Sequence, residues 1–373
     1  MALINYNTKV QFDFGAVALL AQEMALAGAR RPLIVTDKGV AAAGLVERVR
    51  AALPQDMPVS VFDAMPANPT ERAATAACAA YRAQGCDSII GLGGGSAMDG
   101  AKAAAILAAN DGPLERYAFY NVGMNFPPRL PAPTFVVPTT AGTGSEVARS
   151  AVLIFDSGRK SLLFVTPGTV RCAILDPELT LGLPPSITAA TGMDAIAHCL
   201  ETFCSPRVNP PADAIALDGL KRAAANIEIA VRDGANREAR WQMMMAAMEG
   251  ALAFQKGMGA VHALSHPLGV LHLHHGTLNA VLIPPVLRYN ADHLTEKMAT
   301  LRAVLGLPAN ADVPDWFGRL NERLKLPASL RAMNVPKQRF EEFAAEAMTD
   351  SSHPSNPRPM TPADYRAVLQ AAF

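Results

Sequence analysis

The sequence contains no run of the roughly 18 uninterrupted apolar residues that a bilayer-crossing helix needs. Its opening stretch, MALINYNTKVQFDFG, also lacks the basic start and apolar core of a secretory leader. These absences lead to the expectation of a cytoplasmic protein with no membrane partner. Neither sign of charge is in excess: 33 Lys and Arg balance 33 Asp and Glu. No tract concentrates one sign, which argues against a nucleic-acid or lipid surface as partner. Cysteine is sparse, and the five residues (Cys78, Cys86, Cys172, Cys199 and Cys204) are odd in number with no CxxC spacing. A disulfide framework and a thiolate zinc site are therefore not expected, and the thiols read as small core hydrophobes.

What is present is an ordinary globular composition, half hydrophobic and 18% charged. A chain of 373 residues exceeds the size at which one core usually stops growing, so two domains are expected. From Arg30 to about Leu183, β-rich runs alternate with alanine-rich helical stretches: PLIVTD (32–37), PVSVFD (58–63), DSIIGLGGG (87–95), TFVVPTT (134–140) and AVLIF (151–155). Helices are expected around 41–53, 70–84 and 97–109. This alternation predicts a mainly parallel, Rossmann-like sheet with helices on both faces. Beyond Pro184 strand-like runs give way to long helical patterns such as 212–225 and 237–253, so the reading is an α/β domain over 1–183 and an all-α domain over 184–373. The segment TDSSHPSNPRPMTP (349–362) reads as a loop, either on the surface or as a lip over a cleft.

In DSIIGLGGGSAMDGAKA an apolar strand runs into Gly93, Gly94, Gly95 and Ser96 and then into a helix. Amides at such a helix start favour anionic oxygens, and glycine lets backbone approach a pyrophosphate. The GxGxxG fingerprint is not matched, and a structural tight turn is the competing reading. A second loop, PTTAGTGSE (138–146), follows another apolar strand and supplies Thr139, Thr140 and Thr143 hydroxyls. Two such loops at strand ends suit ligand binding at the carboxyl edge of an α/β sheet. Asp37 ends the first strong strand, where a carboxylate bonds ribose hydroxyls and repels a 2′-phosphate, favouring NAD over NADP; the bland reading is a turn cap.

Six of the eight histidines fall between His262 and His293, with His198 in GMDAIAHCLETF. Asp194 and His198 are spaced i,i+4, as are His262 and His266, so each pair shares a helix face. Asp194, His198, His262 and His275 make a one-oxygen, three-nitrogen set suited to Fe(II) or Zn(II), and ligand softness does not choose between them. His272 and His274 read as structural or cleft-lining. A cation at a substrate oxygen would serve hydride transfer. His266, one turn beyond His262, is then the candidate for proton transfer or nicotinamide contact, with a ligand-orienting hydrogen bond as the alternative. Met243, Met244, Met245, Met248, Phe254 and Met258 form an apolar stretch that is either cleft lining or core.

Taken in chain order, GGGSAMDGAKA, VPTTAGTGSE, DPELT, GMDAIAHCLE, HALSHPLG and HHGTLNAVLIPPVLRYN resemble the motifs of the iron-containing, or group III, alcohol dehydrogenase family, and NPR (356–358) is similar to its C-terminal signature. The similarity spans essentially the whole chain. It implies a dehydroquinate synthase-like architecture, with an N-terminal dinucleotide-binding domain, a helical metal and substrate domain, and a cleft between them. It implies iron at Asp194, His198, His262 and His275. It also implies NAD contacts at Asp37, Asn68, Gly94, Gly95, Ser96, Thr139, Thr140, Thr143 and Lys160, with Leu179, Gly182 and Leu183 near the adenosine. The stretch from Gly269 to His275 is one residue shorter than the family pattern, and Gly276 selects His275 over His274 as ligand. A homodimer or larger homo-oligomer joined through VQFDFG (10–15) is implied as well.

The expected activity is therefore reversible hydride transfer between NAD and a small primary alcohol or diol, or its aldehyde. An ω-hydroxy acid of the 4-hydroxybutyrate type is the second substrate class, with Arg149 or Arg358 serving its carboxylate. A dehydroquinate synthase would surround the metal with lysines and arginines, whereas this region is rich in Ala, Leu and Met. Outside enzymes, the alternative is a metal- and nucleotide-binding scaffold.

Overall fold

The computed structural model describes Ile4, Tyr6 and residues 8–373. The chain divides into two compact units, one made of Tyr6–Thr140 with Ser145–Gly182, the other of Ala141–Gly144 with Leu183–Phe373.

The first unit carries the strands β1 (Val10–Phe12), β2 (Pro32–Val35), β3 (Ser60–Phe62), β4 (Ser88–Gly93), β5 (Thr134–Pro138), β6 (Ser150–Ile154), β7 (Lys160–Phe164) and β8 (Val170–Leu175). Six of them form one sheet in the order β1-β8-β5-β4-β2-β3, every neighbouring pair parallel. All positions of β2, β4 and β5 are buried, because both faces are covered and the strands must be apolar throughout rather than alternating. Successive side chains feed two different cores. Leu33, Val35 and Ile89 pack with Ala74, Ala77, Ala103 and Ala104 of the helices Glu71–Ala83 and Gly95–Ala109. Ile34, Ile90, Leu92 and Phe135 pack with Leu20, Met24, Val46 and Val49 on the other face.

Three sequence expectations need correction here. The run AVLIF does not join the parallel sheet: β6 pairs antiparallel with β7 in a separate two-stranded sheet. The turn between them, closed by Gly158 N donating to the Phe155 carbonyl at 2.8 Å, is too short for the crossover that parallel neighbours require. Strand β8 is absent from the runs named above because exposed Arg171 interrupts it, yet it lies between β1 and β5. The single helix expected over 41–53 is two, Lys38–Ala42 and Leu45–Ala51, separated at Gly44 in a left-handed conformation.

The chain leaves β2 for the edge strand β3 and then crosses back to β4 on the other side of β2. The connections from β2 and β4 therefore depart in opposite directions, which opens a crevice at their carboxyl ends.

Among its described residues the second unit has no strand. Its central helix, Pro185–Cys204, starts with proline at a position where no amide donor is needed. It is buried nearly all round, as expected of a helix inside a bundle. The helices Pro210–Arg232 and Arg237–Ala253 are capped by the Asn209 and Asn236 side chains. Helix His275–Asn290 contains Pro284 and Pro285. Pro284 cannot donate to the Ala280 carbonyl, and Asn321 Nδ2 does so instead at 2.7 Å. Among the described residues no helix is long and apolar enough to cross a membrane. Of the five free cysteines four are buried and Cys86 is half-buried, as composition implied.

Candidate active site

In the α/β unit the loops after β2, β4 and β5 meet. Gly93 adopts φ +143°, and a Cβ there would stand 2.8 Å from Ala97 Cβ and 3.5 Å from Asp37 Oδ2. Only glycine lets the strand turn this tightly into the helix Gly95–Ala109. A Cβ on Gly94 would lie 3.4 Å from Thr140 Oγ1, and Thr139 N donates to the Gly93 carbonyl at 3.0 Å. Asp37, Gly94, Gly95, Ser96, Thr139 and Thr140 are thereby gathered at one sheet edge. The first amides of a helix have no carbonyl four residues back, so those after Gly94 offer donors to an anion. The cap reading of Asp37 is seen directly: Oδ1 accepts from Val40 N at 3.0 Å, while Oδ2 faces Gly93. The Ser96 hydroxyl donates to the Ala67 carbonyl, and next to it Asn68 Oδ1 accepts from Lys160 Nζ at 2.9 Å.

Four further expected contacts are Leu179, Gly182, Thr143 and Leu183. Leu179 is a buried member of the core under the sheet, and Gly182 is exposed with open space around it. Thr143 and Leu183 belong to the helical unit, where the Leu183 carbonyl accepts from Arg240 at 3.3 Å.

A buried network braces these loops. Lys102 Nζ donates to the Ser145 carbonyl at 2.5 Å, to Ser145 Oγ at 2.8 Å and to the Ser150 carbonyl at 3.0 Å. Asp99 accepts from Ser145 Oγ at 2.6 Å and from Val152 N at 3.0 Å. Burial lowers the Lys102 pKa despite its neighbour Asp99, and it pushes the adjacent Glu146 carboxyl up to about 7.

In the helical unit, Asp194 and His198 project from Pro185–Cys204, His262 from Ala260–Leu268 and His275 from the first position of His275–Asn290. Ligand atoms of Asp194, His262 and His275 lie within 4.8 Å of one another. Asp194 Oδ1 is the hub, 3.8 Å from His198 Nε2, 3.7 Å from His262 Nε2 and 3.6 Å from His275 Nε2. Four ligands at ~2.1 Å around a tetrahedral cation stand about 3.4 Å apart, so the spacing and the donor set fit a divalent metal. His198 joins through Asp194 and stacks on His262, ring centroids 4.7 Å apart.

Close helix packing makes this possible: a Cβ on Gly276 would run into the Ala190 carbonyl, which is why glycine follows His275. Burial alone would raise the Asp194 carboxyl, but His198, His275 and His262 hold it well below the ordinary range. Burial lowers His198 to about 4 against the pull of Asp194. It also opposes charge on His262, yet hydrogen bonds to Asp194 and Glu201 raise that group to about 9.

His266 lies half-buried beside this cluster, its ring parallel to His275 at 5.3 Å. Its Nδ1 meets Asp350 Oδ2 at 2.8 Å, while Asp350 Oδ1 accepts from Ser352 N at 2.8 Å. Although burial works against it, His266 and the Ser352 amide keep the Asp350 carboxyl low. The 349–362 segment is thus tied inward rather than a free surface loop. His272, in a left-handed conformation, and His274 are exposed. Met243 and Met244 are core, whereas Phe254 stands edge-on to His198 at 5.3 Å. Arg358 donates to the Tyr289 carbonyl at 3.1 Å and lies 4.2 Å over its ring, so its guanidinium is already engaged.

Besides Asp350, sequence reasoning missed three groups. Glu201 Oε2 meets His262 Nδ1 at 2.6 Å, and its other oxygen accepts from Val261 N at 2.7 Å. This buried carboxylate both caps the helix of His262 and turns its Nε2 toward Asp194. Asn279 reaches the same cluster from one turn beyond His275. Asn356 of the NPR motif accepts from Ala260 N at 3.1 Å and exchanges hydrogen bonds with Asn290 of RYN at 2.8 and 3.0 Å. Spacing held the signal for the first two: Glu201 follows His198 by three residues and Asn279 follows His275 by four, each on the ligand face.

Residues 7–177 match the family model for iron-containing alcohol dehydrogenase, and residues 188–373 match that for the C-terminal part of the Fe-containing alcohol dehydrogenase family. Fold and matches define the class, an oxidoreductase of the alcohol dehydrogenase type. The chain is 51% identical to 4-hydroxybutyrate dehydrogenase of Cupriavidus necator, with 100% of both sequences covered. It superposes on 1,3-propanediol oxidoreductase with a TM-score of 0.91 at 32% identity, 100% of both chains covered. A sulfoacetaldehyde reductase from Bifidobacterium kashiwanohense in complex with NAD+ gives 0.89 at 28% identity, covering 100% of this chain and 98% of that one. The protein belongs to the iron-containing alcohol dehydrogenase family.

Proposed function

We propose that this chain catalyses NAD-linked, metal-dependent oxidation of a small primary alcohol and the reverse reduction of its aldehyde. The observation that carries this reading is the convergence of three imidazoles on Asp194 Oδ1 at 3.6–3.8 Å. Asp194, His198, His262 and His275 would hold Fe(II), with Zn(II) as the substitute. When bound, the cation supplies a Lewis acid at the substrate oxygen. Glu201 keeps His262 in the tautomer whose Nε2 lone pair faces inward. The amides after Gly94, with Thr139 and Thr140, would hold the pyrophosphate, and Asp37 the adenosine ribose. Asn68, Thr143, Lys160, Leu179, Gly182 and Leu183 complete the proposed NAD contacts. His266, held at Nδ1 by Asp350, presents its other ring nitrogen to take the hydroxyl proton and is the proposed catalytic residue.

One observation favours a narrower second reading, an ω-hydroxy carboxylate as substrate. The 51% identical relative is named for 4-hydroxybutyrate, whereas the propanediol oxidoreductase stands at 32%. The test is NADH absorbance from Fe(II)-loaded and Zn(II)-loaded enzyme with 4-hydroxybutyrate, 1,3-propanediol and short monoalcohols. Turnover of 4-hydroxybutyrate with the highest kcat/KM supports the narrower reading. Preference for diol or monoalcohol returns the substrate to the broader class, and no turnover on any member under either metal contradicts the function.

We also read the protein as a cytoplasmic homo-oligomer joined through β1, which is an edge strand of the sheet. Light scattering at the mass of a single chain would contradict the oligomer.

A further inference from the structure

Asn279 lies one turn beyond His275 on the same helix, so both side chains share a face. It is wholly buried. Its Nδ2 donates to Asp194 Oδ1 at 2.8 Å and stands 3.3 Å from His262 Nε2 and 3.4 Å from His275 Nε2. Its carbonyl Oδ1 is equally buried and has no hydrogen-bond partner in the protein.

A half-satisfied amide is a poor choice for a core. The orphan carbonyl gives up its hydration for nothing, and an apolar side chain of the same shape would avoid that loss. The atoms facing Nδ2 explain why it is there, since they are the ones whose spacing fits a cation. An imidazole nitrogen has one lone pair, and once that is directed at a cation it accepts nothing from an amide. A carboxylate oxygen has a second lone pair and can do both. The bond to Asp194 is therefore compatible with a loaded centre, and the two contacts to histidine are not.

We propose that Asn279 is a positioning residue of the metal centre: its amide pins Asp194 Oδ1 so that this oxygen, not its twin, faces the three imidazoles, and the fold gives up stability to keep it. The proposal rests on the metal-dependent reading above.

The test uses full-length wild type, Asn279→Leu and Asn279→Ala, each stripped with chelator. Three quantities are read: Co(II) and Zn(II) affinity by chelator competition, the visible absorption of the Co(II) form, and the Tm of the stripped protein. We expect Asn279→Leu to weaken metal affinity about tenfold, the lower end for loss of a group that orients a ligand. Its Co(II) bands should shift, while the stripped Tm stays at or above wild type. A merely structural asparagine would do the reverse, lowering Tm and leaving affinity and spectrum alone; that result overturns the proposal. If leucine does not fold, Asn279→Ala replaces it, with the same affinity loss and band shift expected alongside a lower Tm from the cavity. Wild-type affinity and spectrum in the alanine variant overturn the proposal equally. Failure of wild type itself to bind either metal is a separate outcome, which removes the metal reading and the role of Asn279 with it.

Discussion

The candidate ligand surface of the α/β unit is mostly backbone: helix-start amides after Gly94, a left-handed Gly93 and a loop pinned by the Thr139 amide. That of the helical unit is side chain throughout, one carboxylate and a set of imidazoles, with Asp194 seated by buried Asn279 and His262 by buried Glu201. The difference lies in what each tolerates. A backbone cradle survives loss of any one hydroxyl but not the addition of a Cβ, whereas a side-chain cluster fails when one donor is removed and is indifferent to crowding elsewhere. If this contrast is right, damage to one unit should leave ligand binding by the other intact.

The largest effect is expected for His262→Ala. Removing an imidazole that faces Asp194 should abolish metal retention and lower kcat/KM by at least about a thousandfold. NAD affinity, followed by fluorescence titration, should stay at wild type; a parallel loss of NAD binding would break the contrast.

Gly93→Ala is the converse. Its Cβ would meet Ala97 Cβ at 2.8 Å in a backbone conformation that alanine rarely adopts. A loss of about 1–3 kcal/mol in stability and a roughly tenfold or greater weakening of NAD binding are expected. Metal content by elemental analysis should not change.

Asp350→Asn sharpens the comparison inside the helical unit by separating proton handling from metal holding. Turnover should fall about tenfold with metal content unaltered, because the asparagine no longer holds His266 as a carboxylate does. Loss of metal in this variant would make His266 and Asp350 part of the metal support instead.

The smallest effect on turnover is expected from Glu146→Gln, which probes the buried network under the loops. The Glu146 carboxyl is raised by burial from 4.5 to about 7. Below 4.5 it is protonated in folded and unfolded chains alike. As pH rises through 7 the folded state is the one that resists ionisation, so the stability contribution of this group is lost over that window. Between about pH 5 and about pH 8 wild type should therefore lose ~1–3 kcal/mol more than the glutamine variant in denaturant unfolding. Equal losses would mean that Lys102 neutralises Glu146 in the folded state.

Much of this was legible in the sequence, for identifiable reasons. The strands β2, β4 and β5 stand out because burial on both faces forces unbroken apolar runs. β8 was lost because a single exposed arginine broke the run, and β6 was misplaced because periodicity reports a strand but not its partner. At the metal centre, i,i+4 spacing paired Asp194 with His198 on one helix face. The sequence also singles out His262 and His275, the latter through Gly276, but the reason glycine is required there, the approach of the Ala190 carbonyl, is visible only in the packing. Glu201 and Asn279 carry only a spacing signal, three and four residues beyond His198 and His275, and that signal does not say what they bond; Asp350, distant in sequence from His266, carries none, and only distance identifies it.

The most direct test of the account is anaerobic titration of Fe(II) into chelator-stripped enzyme, following NADH formation from the best substrate against metal bound per chain. The account predicts negligible activity in the stripped protein, rising in proportion to bound metal and saturating at one ion per chain. Full activity in protein shown to hold no metal would contradict it.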